Sequence, residues 1–254
     1  MDFQVRKRLI NLFSAYLIFP VVAVLVISSA SVAQTSKPPQ APQISAKART
    51  PNLSGVWRSL PATYTFTDDP PAMQPWAEEK FKQNRNSENP NGRGNDELEP
   101  RYNCMPPGLP DIWLVPAAPF EIIQSSRRVL ILYEWDHWVR QIWTDGRGHP
   151  KGFPVTWMGH STGSWHGDTL VVDTVGINES TWLDRAGHVH SDALHVVERF
   201  RRIDRDNLEI EVTLNDPKAY TKPWGGKKVF KRGAGWELME HVVCQDRFQQ
   251  KAPQ

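Results

Sequence analysis

The chain is short of cysteine, of net charge and of helical periodicity, and each shortage narrows what it can be. It has two cysteines in 254 residues, Cys104 and Cys244, so at most one disulfide is available. No cysteine stands at the exit of the N-terminal apolar run, which excludes lipid anchoring there. The formal net charge is +2. Residues 1–33 carry Arg6, Lys7 and Arg8 against Asp2, the same +2, so the remainder sits near zero. A neutral chain has no electrostatic drive toward nucleic acid or anionic lipid. A small molecule or another protein is the expected partner. There is no internal repeat, and the one stretch that reads as a helix lies around Met73–Gln83.

What is present begins with an export signal. Arg6, Lys7 and Arg8 precede an apolar run from Leu9 to Val26, and the run exits through small residues ending in Ser31-Val32-Ala33. A positive start, an apolar middle and a small-residue exit are the parts of a secretory signal peptide. Residues 1–33 are therefore expected to be cleaved near Ala33, leaving a periplasmic or secreted protein with no stable membrane anchor. Residues 34–51 read as a flexible leader, rich in Pro, Gln, Ser, Ala and Lys. Residues 52–247 read as one domain and 248–254 as a tail. In an oxidising compartment Cys104 and Cys244 are expected to pair.

The domain reads as mostly β. Leu208, Ile210, Val212 and Leu214 alternate with Glu209, Glu211 and Thr213, the period of a half-buried strand. Residues 169–174 and Leu194–Ile203 are further strands, and Asp204-Arg205-Asp206-Asn207 links the latter to 208–214 as a hairpin. Arg128–Thr144 reads as one long strand with Val129, Ile131, Tyr133, Trp135, His137 and Val139 facing inward. Residues 159–167 read as a loop, and Trp236–Cys244 as the last strand. Short strands joined by turns rich in Gly, Asp and Asn predict a single antiparallel β-barrel, lipocalin- or calycin-like, or a sandwich, with long loops and little helix.

Within that frame, Glu198 is the sharpest anomaly. It lies between Val196 and Phe200 on a strand's apolar face, where a carboxylate must be paired or protonated. It suits a general acid or base, or an ion pair with Arg140, Arg199 or Arg201. His137, expected inward among tryptophans, is its natural partner for proton transfer. His188, His190 and His195 fall within eight residues and predict a site for one transition-metal ion through imidazole nitrogen. Otherwise they belong to a solvated loop. His160, His190 and His195 are expected at the barrel mouth as further acid–base groups. Gly159-His160-Ser161-Thr162-Gly163 matches Gly-x-Ser-x-Gly literally, without the strand-to-helix context that makes a nucleophile elbow. The eleven tryptophans suit an apolar, aromatic or sugar-ring ligand, or a stiff core.

Several motifs carry resemblances. Asp145-Gly146-Arg147-x-His149-Pro150, the run from Gly159-His160-Ser161 to Gly167-Asp168-Thr169-Leu170-Val171-Val172-Asp173-Thr174, His190-Ser191-x-x-Leu194-His195-x-x-Glu198-Arg199-Phe200, and Asp216-Pro217-x-x-Tyr220 stand together in this chain. This set resembles a large group of exported bacterial β-proteins, over roughly residues 53–245, and the resemblance implies no particular activity. His188-x-His190 resembles the His-x-His of cupins, but His195 stands where a cupin places glutamate. Ser54-Gly55-Val56-Trp57 is similar to the Gly-x-Trp opening of lipocalin-type barrels.

The first expectation is an exported barrel enzyme of lyase or hydrolase type, with His137 and Glu198 working from inside. The second is a lipocalin-like protein that binds a small molecule without turnover. A third is a structural envelope protein.

Overall fold

The computed structural model describes residues 50–59, 63–69, 71–85, 94–115, 118–240 and 244. The segments read as signal peptide and tail lie outside the described residues, as does the leader apart from its last two positions.

Nine strands close into a barrel in chain order: β1 (Gly55–Ser59), β2 (Phe120–Gln124), β3 (Arg128–Tyr133), β4 (Val139–Trp143), β5 (His160–His166), β6 (Thr169–Val175), β7 (His195–Arg202), β8 (Asn207–Asn215) and β9 (Trp224–Arg232). β1 pairs with both β2 and β9, so no edge is left unpaired. The alternation in β8 explains its place. Leu208, Ile210, Val212 and Leu214 are all buried, while the intervening polar residues face out. β7 does the same with Val196, Glu198 and Phe200, and its register against β8 sets Glu198 opposite Val212.

The expected strand over 128–144 is instead a hairpin. β3 ends at Tyr133, and a 3₁₀ turn over Trp135–His137 reverses the chain into β4, with Leu132 opposite Val139. Asp136 (φ 49°) and His137 (φ 56°) take the left-handed conformation that the Asp and His side chains tolerate better than most. The alternation Tyr133, Trp135, His137, Val139, apolar but for the histidine, hid this turn. The reversal changes the parity: Arg140 and Ile142 point inward, and His137 is exposed on the turn, not inside.

Two other segments differ from their expected conformation. Residues read as a loop form β5, and Trp236–Glu240 are not a strand, with 241–243 outside the described residues. The closing strand is β9, disguised by Gly225-Gly226 and its lysines. A Cβ at Gly226 would lie 1.9 Å from the Phe66 carbonyl oxygen, so only glycine lets the 63–69 segment cross the sheet there.

The long connection between β1 and β2 carries helix α1 (Pro75–Asn84) and the 3₁₀ turn Asp111–Leu114. That turn inserts Trp113 into the barrel, with ring centroids of Phe120, Tyr133, Phe200 and Phe230 at 5.1–5.8 Å. The lumen is therefore packed with side chains, where a lipocalin-type barrel keeps a cup. Cys104 and Cys244 form a disulfide across 140 residues, with Cα atoms 5.3 Å apart. Among the described residues no helix is long and apolar enough to cross a membrane.

Candidate functional site

Inside the barrel, Glu198 is fully satisfied. Arg140 approaches it with two guanidinium nitrogens, Nη1 at 2.9 Å from Oε1 and Nη2 closer still to Oε2. The Trp113 indole N–H donates to Oε1 at 2.7 Å. Arg140 also reaches the hydroxyls of Ser161 and Thr174, which sit 2.8 Å from each other. All of these groups are buried. Of the three arginines foreseen as partners it is Arg140, because Arg199 and Arg201 face outward. The His137–Glu198 pair expected inside the barrel does not form. Ser161 is likewise committed to this network, while its neighbour His160 points to the opposite face of β5.

The chemistry gathers on the outer wall. β4 and β5 run parallel, and all other neighbouring strands antiparallel. A parallel pair needs a crossover, supplied here by residues 144–159. Asp145 and Arg147 pin its start: Nε and Nη2 of Arg147 lie 2.9 and 2.6 Å from the Asp145 carboxylate, and the guanidinium stacks 3.5 Å over Trp143. The arginines holding Asp145 keep its carboxyl well below the usual range. At the crossover's end Gly159 has φ +62°, and a Cβ there would lie 2.6 Å from the Val175 carbonyl oxygen. This tight entry seats His160 on the outer face, under the crossover.

There His160 meets His149, Nδ1 to Nδ1 at 2.8 Å. His149 Nε2 lies 3.1 Å from Asp173 Oδ2 and 3.4 Å from the Thr162 hydroxyl. The register explains the convergence, since Thr162 is opposite Asp173 on β6 and Asp173 is opposite Val197 on β7. His195, two residues before Val197 and on the same face, brings Nδ1 to 3.5 Å from Asp173 Oδ1.

The carboxylate fixes the tautomers along this chain. Asp173 accepts from His149 Nε2–H, and in the neutral imidazole His149 Nδ1 is left with a lone pair. With His149 neutral, His160 Nδ1–H donates to that lone pair, which leaves the His160 Nε2 lone pair as the basic end. Burial, then the proximity of His149 and Arg147, lowers the pKa of His160 below the usual histidine value of 6.5. The imidazole is thus neutral at neutral pH. A cleft of about 420 Å³ opens beside the two-rung β4–β5 ladder, with His160, Trp143, Phe153, Met158 and Thr156 in its walls. That volume is in the range of small-molecule sites.

The three histidines foreseen as metal ligands do not converge. His188 Nδ1 binds Asp184 at 2.8 Å. His190 is buried, with its pKa lowered by desolvation, Nδ1 3.1 Å from the Ser191 carbonyl and Nε2 2.9 Å from the Thr181 hydroxyl. A nitrogen that must donate to a carbonyl is unavailable as a ligand. His190 is thus enclosed by the chain, where it was expected at a barrel mouth. His195 belongs with Asp173. Among the described residues no group of three or more His, Cys, Asp or Glu is placed to hold a metal ion.

Of the residues singled out in the sequence, then, His160 and His195 come together. His149 and Asp173 were quoted only as parts of a signature. Asp173 was within reach of a parity argument, since Val172 and Thr174 must face inward and turn it out beside His195. No protein-family model matches the chain, and no curated protein matches it.

Proposed function

We propose that the chain is an exported enzyme that uses His160 as a general base on a small, neutral organic molecule with an apolar or aromatic portion, in lyase- or hydrolase-type chemistry. The observation that carries this reading is the hydrogen-bonded series Asp173–His149–His160 ending at the seam cleft. Proton abstraction by His160 Nε2 gives an imidazolium whose Nδ1–H still donates to His149, and His149 in turn donates to the Asp173 carboxylate. The charge formed in the transition state is thus met by groups already oriented for it. His195 adds a second imidazole at the carboxylate. Trp143 and Phe153 suit a flat or ring-shaped substrate. The near-neutral chain supports a small-molecule partner over nucleic acid. Export rests on the N-terminal pattern, with the disulfide supporting an oxidising destination.

The packed lumen and the closed Arg140–Glu198 pair favour a second reading, a protein that binds a small molecule in the seam cleft without turnover. Two probe reactions separate the readings. 5-Nitrobenzisoxazole opens to a cyanophenolate when a base removes its ring C–H proton and the N–O bond breaks. p-Nitrophenyl acetate reports hydrolysis. Saturable turnover of either is expected, falling about 100-fold or more in His160→Gln, the usual scale of a general base, with an acid limb below pH 6.5. Turnover indifferent to His160→Gln would overturn the catalytic reading. Saturable binding with no turnover would establish the second.

A further inference from the structure

A second histidine–carboxylate pair lies away from the seam, and nothing in the reading above uses it. Asp184 is wholly buried, and its two oxygens lie 2.9 and 2.8 Å from His188 Nδ1 while Oδ1 also accepts the Ala186 N–H at 3.0 Å. His188 Nδ1 therefore carries a proton. The ring is held in place by Phe81, stacked at 4.1 Å and 13°, and by Trp224 at 5.1 Å. The far nitrogen, Nε2, is buried and has no hydrogen-bond partner among the described residues. His188 as a whole is 4% exposed. Buried polar atoms are as a rule satisfied, and one that is rigidly held yet unpaired asks for a partner that the described residues do not supply.

His188 lines a cavity of about 570 Å³ between the 63–69 segment and α1. The wall is balanced in charge, with Asp68 and Asp69 against Arg85 and Lys227. Hydroxyls come from Thr63, Thr65 and Thr67, and rings from Tyr64 and Phe81. A balanced wall gives a charged ligand no net attraction. Rings beside hydroxyls match a ligand with an apolar face and polar edges. With Nδ1–H directed at Asp184, the neutral ring presents Nε2 as a lone pair, to which a ligand hydroxyl can donate.

We propose that Asp184 and His188 anchor a second small-molecule site, in which His188 Nε2 accepts a hydrogen bond from the hydroxyl of a neutral ring compound held between the 63–69 segment and α1. Sugars and phenols both offer that chemistry. Asp184 is a positioning residue, acting through the ring it orients.

The test is an NMR titration of the full chain labelled with ¹⁵N-histidine, using phenol and methyl glucoside as separate probes up to tens of millimolar. The expected result is a His188 Nε2 resonance of the bare, unprotonated type that moves saturably with one of the two, which also says which class fits. In His188→Phe, which keeps the stack on Phe81, binding measured by the probe's own line broadening should be lost. In Asp184→Asn it should weaken about tenfold or more. His160→Gln should leave the titration unchanged. The proposal is overturned if neither probe moves the His188 signal, if binding survives His188→Phe, or if it disappears in His160→Gln, which would place the probe in the seam cleft.

Discussion

Replacing Glu198 by glutamine separates a structural carboxylate from a catalytic one. Glu198 neutralises Arg140, which is 1% exposed, and receives its two guanidinium nitrogens and the Trp113 indole N–H. Glutamine keeps the shape but removes the charge, and it turns an NH₂ group toward a guanidinium that can only donate. Removing one partner of a buried ion pair costs about 3–5 kcal/mol, because the other charge stays behind. For a domain of about 200 residues each kcal/mol moves the melting point by about 2–4 °C. Glu198→Gln should therefore lower Tm by roughly 6–20 °C. The double variant Arg140→Met/Glu198→Leu, which removes both charges, should recover most of that loss. Calorimetry or a circular-dichroism melt reads both. A Tm within about 2 °C of wild type for Glu198→Gln, less than 1 kcal/mol on this scale, would refute the reasoning and return Glu198 to the list of catalytic candidates.

Other consequences are as direct. Reducing the Cys104–Cys244 bond, which closes a loop of 140 residues, should cost up to about 4–5 kcal/mol on the chain-entropy model, seen as a lower Tm in the presence of reductant. The imidazoles of His160 and His190 both have lowered pKa values. Just below pH 6.5 the unfolded chain binds protons that the folded chain refuses, so these groups make stability fall as pH drops through that window. Asp111, pushed up to about 7 by burial, works the other way between about pH 4 and 7. Comparing denaturant midpoints of wild type and His160→Gln isolates the imidazole, and the variant should lose less stability between pH 6.5 and 5. A curve for the variant parallel to wild type would refute the burial argument. Gly226→Ala should force the 63–69 segment off the barrel, since the new methyl would lie 1.9 Å from a backbone oxygen; increased proteolysis within 63–69 checks it.

Alternation made β6, β7 and β8 legible, because each has one face wholly in the core and one in solvent. It failed at 134–138, where Trp135 and Trp138 carry the alternation through a turn, and at β9, where two glycines break the pattern for the sake of a close crossing. Glu198 was legible as an anomaly for the same reason that β7 was legible as a strand. Its partner was legible only as one of three arginines, because Arg140 lies inward only once the hairpin parity is known. The seam site was half legible. His160 and His195 stood out as histidines, but Asp173 joins them through strand register and His149 through the crossover, and neither is written in local pattern.

Proton order along Asp173–His149–His160 is what makes His160 Nε2 a base. Histidine side-chain ¹⁵N NMR on the full chain measures it directly, with assignments from His149→Gln and His160→Gln. His149 should be protonated on Nε2 and His160 on Nδ1, with His160 titrating below pH 6.5 and the order lost in Asp173→Asn. His160 protonated on Nε2, or titrating at or above 6.5, would contradict it.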